Sequence, residues 1–157
     1  MSISLRPVAA PDESFLFELF GAIKERDLEH TKLTRPQRRH FIRSQYDARK
    51  KHYDKFFDDA EDSLILNEKK KIGRLILQRK EEEFRIIALE ILPDYNGKGV
   101  YESIIQDIQA EAEEVGKPIS VQVEQLGGWF DMLSALGFEK TGETEAHYQM
   151  EWNSERA

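Results

Sequence analysis

Cysteine is absent from the 157 residues, which excludes disulfides, thiolate metal sites and a cysteine nucleophile. Long apolar runs are absent as well. The apolar stretches are only a few residues long, far short of the ~20 that a membrane-spanning helix needs. The opening Met-Ser-Ile-Ser-Leu-Arg-Pro contains no apolar signal region, so a cytoplasmic protein is expected, with no membrane partner. The four histidines (30, 40, 52 and 147) show no H-E-x-x-H or other close ligand spacing, and no metal is expected. A serine-hydrolase elbow, G-x-S-x-G, is missing too.

What the chain does contain is enough to fold. Nine Phe, five Tyr and two Trp can fill a core, and 39% hydrophobic with 34% charged residues is polar without being disordered. At this length a single domain spanning 1–157 is expected. Net charge is −7, unevenly placed. Residues 32–55 carry nine Lys or Arg against Asp47 and Asp54, a balance of +7, which leaves −14 on the remainder. The acidic remainder argues against nucleic acid as a partner, whereas the basic stretch suits an acidic or phosphate-bearing one. A solvated helix face is the plainer reading of that stretch.

Periodicity orders the elements. Residues 3–8 alternate and read as a strand, placed at an edge by Pro7. Pro11 and Asp12 open a helix carrying Phe15, Leu16, Leu19, Phe20 and Ile23, with Asp12 as its N-cap. A second helix starts at Thr34-Arg35-Pro36, and Ile42, Tyr46, Tyr53, Phe56 and Phe57 line one side of it, interrupted by Arg49 and Lys50. The period then switches to two. Leu64–Leu66, Ile72–Gln78 and Phe84–Leu92 are joined by short charged turns, which implies an antiparallel meander. After a turn-rich loop, Leu92 to Gly99, comes a helix with Val100, Ile104, Ile105, Ile108, Ala112 and Val115 on its buried face. Gly116 and Pro118 stop that helix. Ile119–Val123, a short helix Trp129–Leu136, Phe138–Thr141 and His147–Trp152 complete a mixed α/β (α+β) chain. Its sheet is expected to be mostly antiparallel, flanked by about four helices.

Pro93 to Val100 is the most informative segment. A strand runs into glycines and directly into a helix, whose first turn offers unpaired N–H groups and the positive end of the macrodipole. Such a turn can hold a pyrophosphate through main-chain atoms. Two familiar phosphate motifs are excluded: Glu102 stands where G-x-G-x-x-G needs its third glycine, and Lys98 is followed by Gly99 rather than Ser or Thr.

In this order of elements the sequence resembles the GCN5-related N-acetyltransferases, over essentially the whole chain. Ile3-Ser-Leu-Arg-Pro-Val8 resembles their first strand. Ile91-Leu-Pro-Asp-Tyr-Asn-Gly-Lys-Gly99 resembles the central strand and acyl-CoA loop, [QR]-x-x-G-x-[GA]. Ala135-Leu136-Gly137-Phe138 is similar to their helix ending and His147–Trp152 to their last strand. The resemblance implies acetyl-CoA as co-substrate, held by Ile91, Leu92, Asn96, Gly97, Lys98, Gly99, Val100 and Tyr101, and an acetyl group passed to the amine of a small molecule or peptide. It also places Asn96 where the family has Gln or Arg, Tyr101 where it has Gly or Ala, and Gly127 where many members have Asn. Leu133 stands where many have a Tyr that protonates the leaving thiolate, and Arg85 near a position where some carry a Glu base.

Amine acetylation needs a neutral amine, a polarised thioester carbonyl and a proton for the departing thiolate. An amide near Ile91 or Leu92 can polarise the carbonyl. Glu90, the only carboxylate within the strand 84–92, is the candidate base, against a rim carboxylate as the plainer reading. Tyr148 is the candidate proton donor, against core packing with Met150 and Trp152; His147 beside it alternates to the other face, and Tyr101 is a further phenol next to the cofactor loop. Tyr46 and Tyr53 are candidate substrate-wall residues, although aromatics at helical spacing more often pack a core. The alternative to an enzyme is a fold of this type kept as a binding or assembly module. Strand edges that pair between subunits would make a homodimer.

Overall fold

The computed structural model describes residues 1–154. Within them β1 (Ile3–Pro7) leads through a 3-10 turn to α1 (Glu13–Leu28) and α2 (Arg35–Phe56). Three strands follow, β2 (Glu61–Asn67), β3 (Lys70–Arg79) and β4 (Phe84–Ile91), then α3 (Val100–Val115), β5 (Ile119–Glu124), α4 (Trp129–Ala135), β6 (Glu139–Glu143) and β7 (His147–Trp152). The seven strands form one sheet in the order β1-β2-β3-β4-β5-β7-β6. β1, with Pro7, is an edge strand, antiparallel to β2. β4 and β5 run parallel, and their register covers only Phe84 opposite Ile119 to Ile86 opposite Val121. This is the mixed, mostly antiparallel sheet with four helices that the period switch implies.

Packing divides the chain into two compact units, residues 1–75 with 90–98 and residues 76–89 with 99 onwards. In the first, Leu16 and Phe20 of α1, Ile42 and Tyr46 of α2 and Leu64 of β2 form a buried cluster. Thr34 caps α2 by accepting the Gln37 N–H, and the Gln37 side chain accepts the Thr34 N–H in return. Asp12 stands at the N-cap position of α1, as the sequence implies, but its side chain makes no capping hydrogen bond there. Its buried carboxylate instead accepts two hydrogen bonds from Arg6 (2.8 and 3.0 Å), one from the Ala9 N–H (2.8 Å), and pairs with Lys71 at 2.7 Å. Local spacing finds a cap, but two cations brought from β1 and β3 outbid it.

Arg6 and Lys71 hold the Asp12 carboxyl well below its ordinary 3.8. A depressed carboxylate contributes stability that is present above the unfolded-state pKa and is lost as pH falls through the folded one. The wild type should therefore lose thermal stability steeply as pH drops below the usual aspartate range. Asp12→Asn should show a shallower acid limb, which calorimetry across that range will check.

Two glycines differ in what they are for. Gly73 lies on β3 where a Cβ would collide with the Glu90 carbonyl oxygen and come within 3.2 Å of Ile65 and Ile91, so β3 and β4 approach closely only because it is glycine. Gly21 sits inside α1, where glycine costs about 0.5–1 kcal/mol relative to alanine. Nothing in the packing demands it, since a Cβ there would meet only Ile42, at 3.9 Å.

In the second unit α3 buries Val100, Ile104, Ile105, Ile108 and Ala112, but Val115, expected on the same face, is the last residue of the helix and is 53% exposed, because burial ends at Ala112. Gly116 ends α3 in the left-handed conformation (φ +70°), donating its N–H to the last turn. Leu133 of α4 and Met150 and Trp152 of β7 are buried together with Ile119, Val121 and Val123 of β5.

Candidate functional site

The first unit places Glu90 at the end of β4, and both of its carboxylate oxygens accept hydrogen bonds from Arg49 of α2, at 2.8 and 2.9 Å. The Arg49 guanidinium lies over the rings of Phe20 (4.5 Å) and Tyr53 (5.2 Å). Its interruption of an apolar helix stripe marks it as inward-facing. Beside it, Arg74 of β3 holds Asp62 at 2.9 and 2.6 Å. Tyr46 and Tyr53 are brought to this cluster in different ways. Tyr46 is buried at 3% exposure and donates its hydroxyl to Glu13 at 2.8 Å, so its ring packs the core. Burial, then that hydrogen bond, pushes the Tyr46 phenol up to about 12. Tyr53 is half-buried, and burial raises it as well.

The Leu92 N–H donates to the Ile72 carbonyl at 2.8 Å and is thereby committed to β3. Strand alternation turns the Ile91 N–H the other way, away from β3. Of the two amides that sequence reasoning offers for polarising a carbonyl, Ile91 is the one not committed to β3. Beyond Leu92, Asn96, Gly97 and Lys98 are exposed. The ammonium groups of Lys98 and Lys70 lie 5.4 and 5.9 Å from the centre of the Tyr95 ring, which concentrates positive charge there. Lys70, in a charged turn, gave no functional signal in the sequence.

In the second unit Gly99 precedes α3 with φ +81° and makes no side-chain cap. A Cβ on Gly99 would meet nothing within 4 Å, and Gly97 (φ +77°) has the same open surroundings. The Tyr101 ring packs edge-on against Trp129 of α4, with centroids 4.9 Å apart. Tyr148 packs against Phe130 at 5.2 Å with the Lys140 ammonium 5.2 Å from its ring centre. Arg85 donates to the Ser120 hydroxyl at 3.2 Å, and that hydroxyl donates to Glu83. Leu133 is a core residue. Among the described residues no group of three or more His, Asp or Glu is placed to hold a metal ion, and no helix is long and apolar enough to cross a membrane.

No family model matches the sequence, and no curated protein matches it either. Solved structures do. A PaiA N-acetyltransferase from Thermoplasma acidophilum, crystallised with coenzyme A, superposes with a TM-score of 0.73 at 17% identity, over 98% of this chain and 99% of that one. An acetyltransferase from Thermus thermophilus gives 0.67 at 14% identity, over 98% and 97%. A ribosomal-protein alanine N-acetyltransferase from Escherichia coli gives 0.64 at 12% identity, over 97% and 94%. The chain has the fold of the GCN5-related N-acetyltransferases.

Proposed function

We propose that the protein is an N-acetyltransferase that uses acetyl-CoA to acetylate an amine. The observation that carries this reading is the turn into α3: a capless helix start at Gly99, in the left-handed conformation, with open space where any side chain would stand. Main-chain donors at such a helix start suit linked phosphates, and the fold of the chain is the one in which a PaiA neighbour was crystallised with coenzyme A. In this proposal Asn96, Gly97, Lys98, Gly99, Val100 and Tyr101 hold the cofactor, with Leu92 shaping the entry to that turn and the Ile91 N–H donating to a carbonyl oxygen. Acetyl-CoA would supply the acyl group, activated as a thioester. Glu90 accepts the proton of the amine, oriented by Arg49, and Tyr148 returns a proton. The half-buried Tyr53 and, about two helical turns before it, Tyr46 border the amine's side, where basic α2 favours a small molecule or peptide bearing a carboxylate or phosphate. A cytoplasmic location accords with this chemistry.

At 100 times its Kd, acetyl-CoA should raise the melting temperature by roughly 5–10 °C. Gly99→Trp should abolish that rise, and the charge reversal Lys98→Glu, which leaves the backbone alone, should reduce it. Because the chain has no cysteine, coenzyme A thiol released on addition of amines can be counted with a thiol reagent free of protein background. Absence of any shift at millimolar acetyl-CoA would remove the proposal. A second reading, a binding module of the same fold that has lost acyl transfer, draws on the Arg49 clamp: a carboxylate with both oxygens occupied is a stable structural ion pair. It predicts cofactor binding without thiol release for any amine.

A further inference from the structure

The α1–α2 hairpin holds a groove of about 370 Å³ within the first unit. That is the size of a small-molecule site. Its floor is Phe17, Gly21 and Ile42. One wall is basic. Arg38 is already engaged, with Glu25 at 3.0 Å and the Leu33 carbonyl at 2.7 Å. Arg35 and Arg39, one helical turn apart on α2, are exposed and have no ion-pair partner among the described residues. Two carboxylates also line the groove: Glu25, which Arg38 engages, and Glu18, which has no partner among the described residues. Arg39 and Arg49 are ten residues apart on α2, about 15 Å of helix rise, so this groove is separate from the Glu90 cluster.

Gly21 is the second, independent observation. A glycine in a helix interior is unfavourable, α1 bends through no positive φ there, and neighbouring side chains leave room for a methyl group. What glycine does accomplish is to keep the groove floor open. We infer that the α1–α2 groove binds a small organic anion, a phosphate or carboxylate on a flat apolar body, with the head between Arg35 and Arg39 and the body over Gly21 against Phe17 and Ile42. Two guanidiniums next to each other can fork onto a single phosphate or carboxylate. The Arg43 guanidinium lies 4.7 Å from the centre of the Phe17 ring, which helps hold that ring in the floor. The inference does not depend on acyl transfer.

Phenyl phosphate is the probe, titrated into the full chain while the Ile42 methyl resonances are followed by NMR. A saturable shift in the millimolar range is expected. Arg35→Gln with Arg39→Gln should weaken it by about tenfold or more, as loss of charge-assisted hydrogen bonds implies. Gly21→Leu should eliminate it. Gly21→Ala gives the sharpest readout, because melting temperature should rise by about 1–4 °C while phenyl phosphate binds more weakly. Unfolding of the leucine variant would leave the alanine variant to decide. No saturable shift, binding indifferent to the two arginines, or an equal response to inorganic phosphate would each overturn the inference.

Discussion

Glu90→Gln is expected to lower the unfolding free energy by about 2–4 kcal/mol, because it leaves the Arg49 guanidinium without its counter-charge. The pair is well shielded, Arg49 at 21% and Glu90 at 15% side-chain exposure, and both of its hydrogen bonds are short. Removing one member of a buried pair costs about 3–5 kcal/mol, and the residual exposure together with the remaining amide oxygen brings the figure down. Arg49→Met alone should cost at least as much as Glu90→Gln, since the methionine keeps the contacts with Phe20 and Tyr53 but leaves the shielded Glu90 carboxylate without a counter-charge. Combining Arg49→Met with Glu90→Leu should recover most of the loss, and these two single variants with their double form a double-mutant cycle whose coupling term isolates the pair. Urea titration measures all of them. A loss under about 1 kcal/mol for Glu90→Gln would show that solvent, not Arg49, neutralises this carboxylate.

Gly73→Ala should be nearly as severe. The added methyl group runs into the Glu90 carbonyl oxygen and presses on Ile65 and Ile91, all of them backbone or buried side chain, so the strand itself must move. Overpacking of this kind costs about 1–3 kcal/mol. The same displacement acts on Glu90 and Ile91, so any activity should fall further than stability alone explains. Comparing thiol release at a temperature where the variant remains folded separates the two effects. By contrast, alanine at Gly21, on the neighbouring helix, should stabilise, although both positions are glycines in regular structure.

Much of the architecture was legible because it rests on local pattern. Period-two apolar runs located β2, β3 and β4, the Thr34-Arg35-Pro36 start marked α2, and Gly116 with Pro118 marked the end of α3. Local rules failed where distant groups compete for one residue. Asp12 reads as a cap until Arg6 and Lys71 arrive, and Val115 reads as buried because periodicity does not say where the underlying surface ends. Glu90 was visible as the lone carboxylate of its strand, but its partner lies 41 residues earlier and nothing in either segment names the other. Gly73 could not be singled out, since close approach of β3 to β4 is a property of two strands. The groove at Arg35 and Arg39 needs the pairing of α1 with α2, which sequence only implies.

The Ile91 amide, turned away from β3, has a practical corollary. An alanine scan of this chain would pass straight over it, since every residue except proline brings the same N–H to that position. Evolution could likewise exchange the side chain at 91 freely within the limits of packing and keep the donor. Only a change in the main chain itself, an ester linkage or a proline at 91, would reveal whether that hydrogen matters.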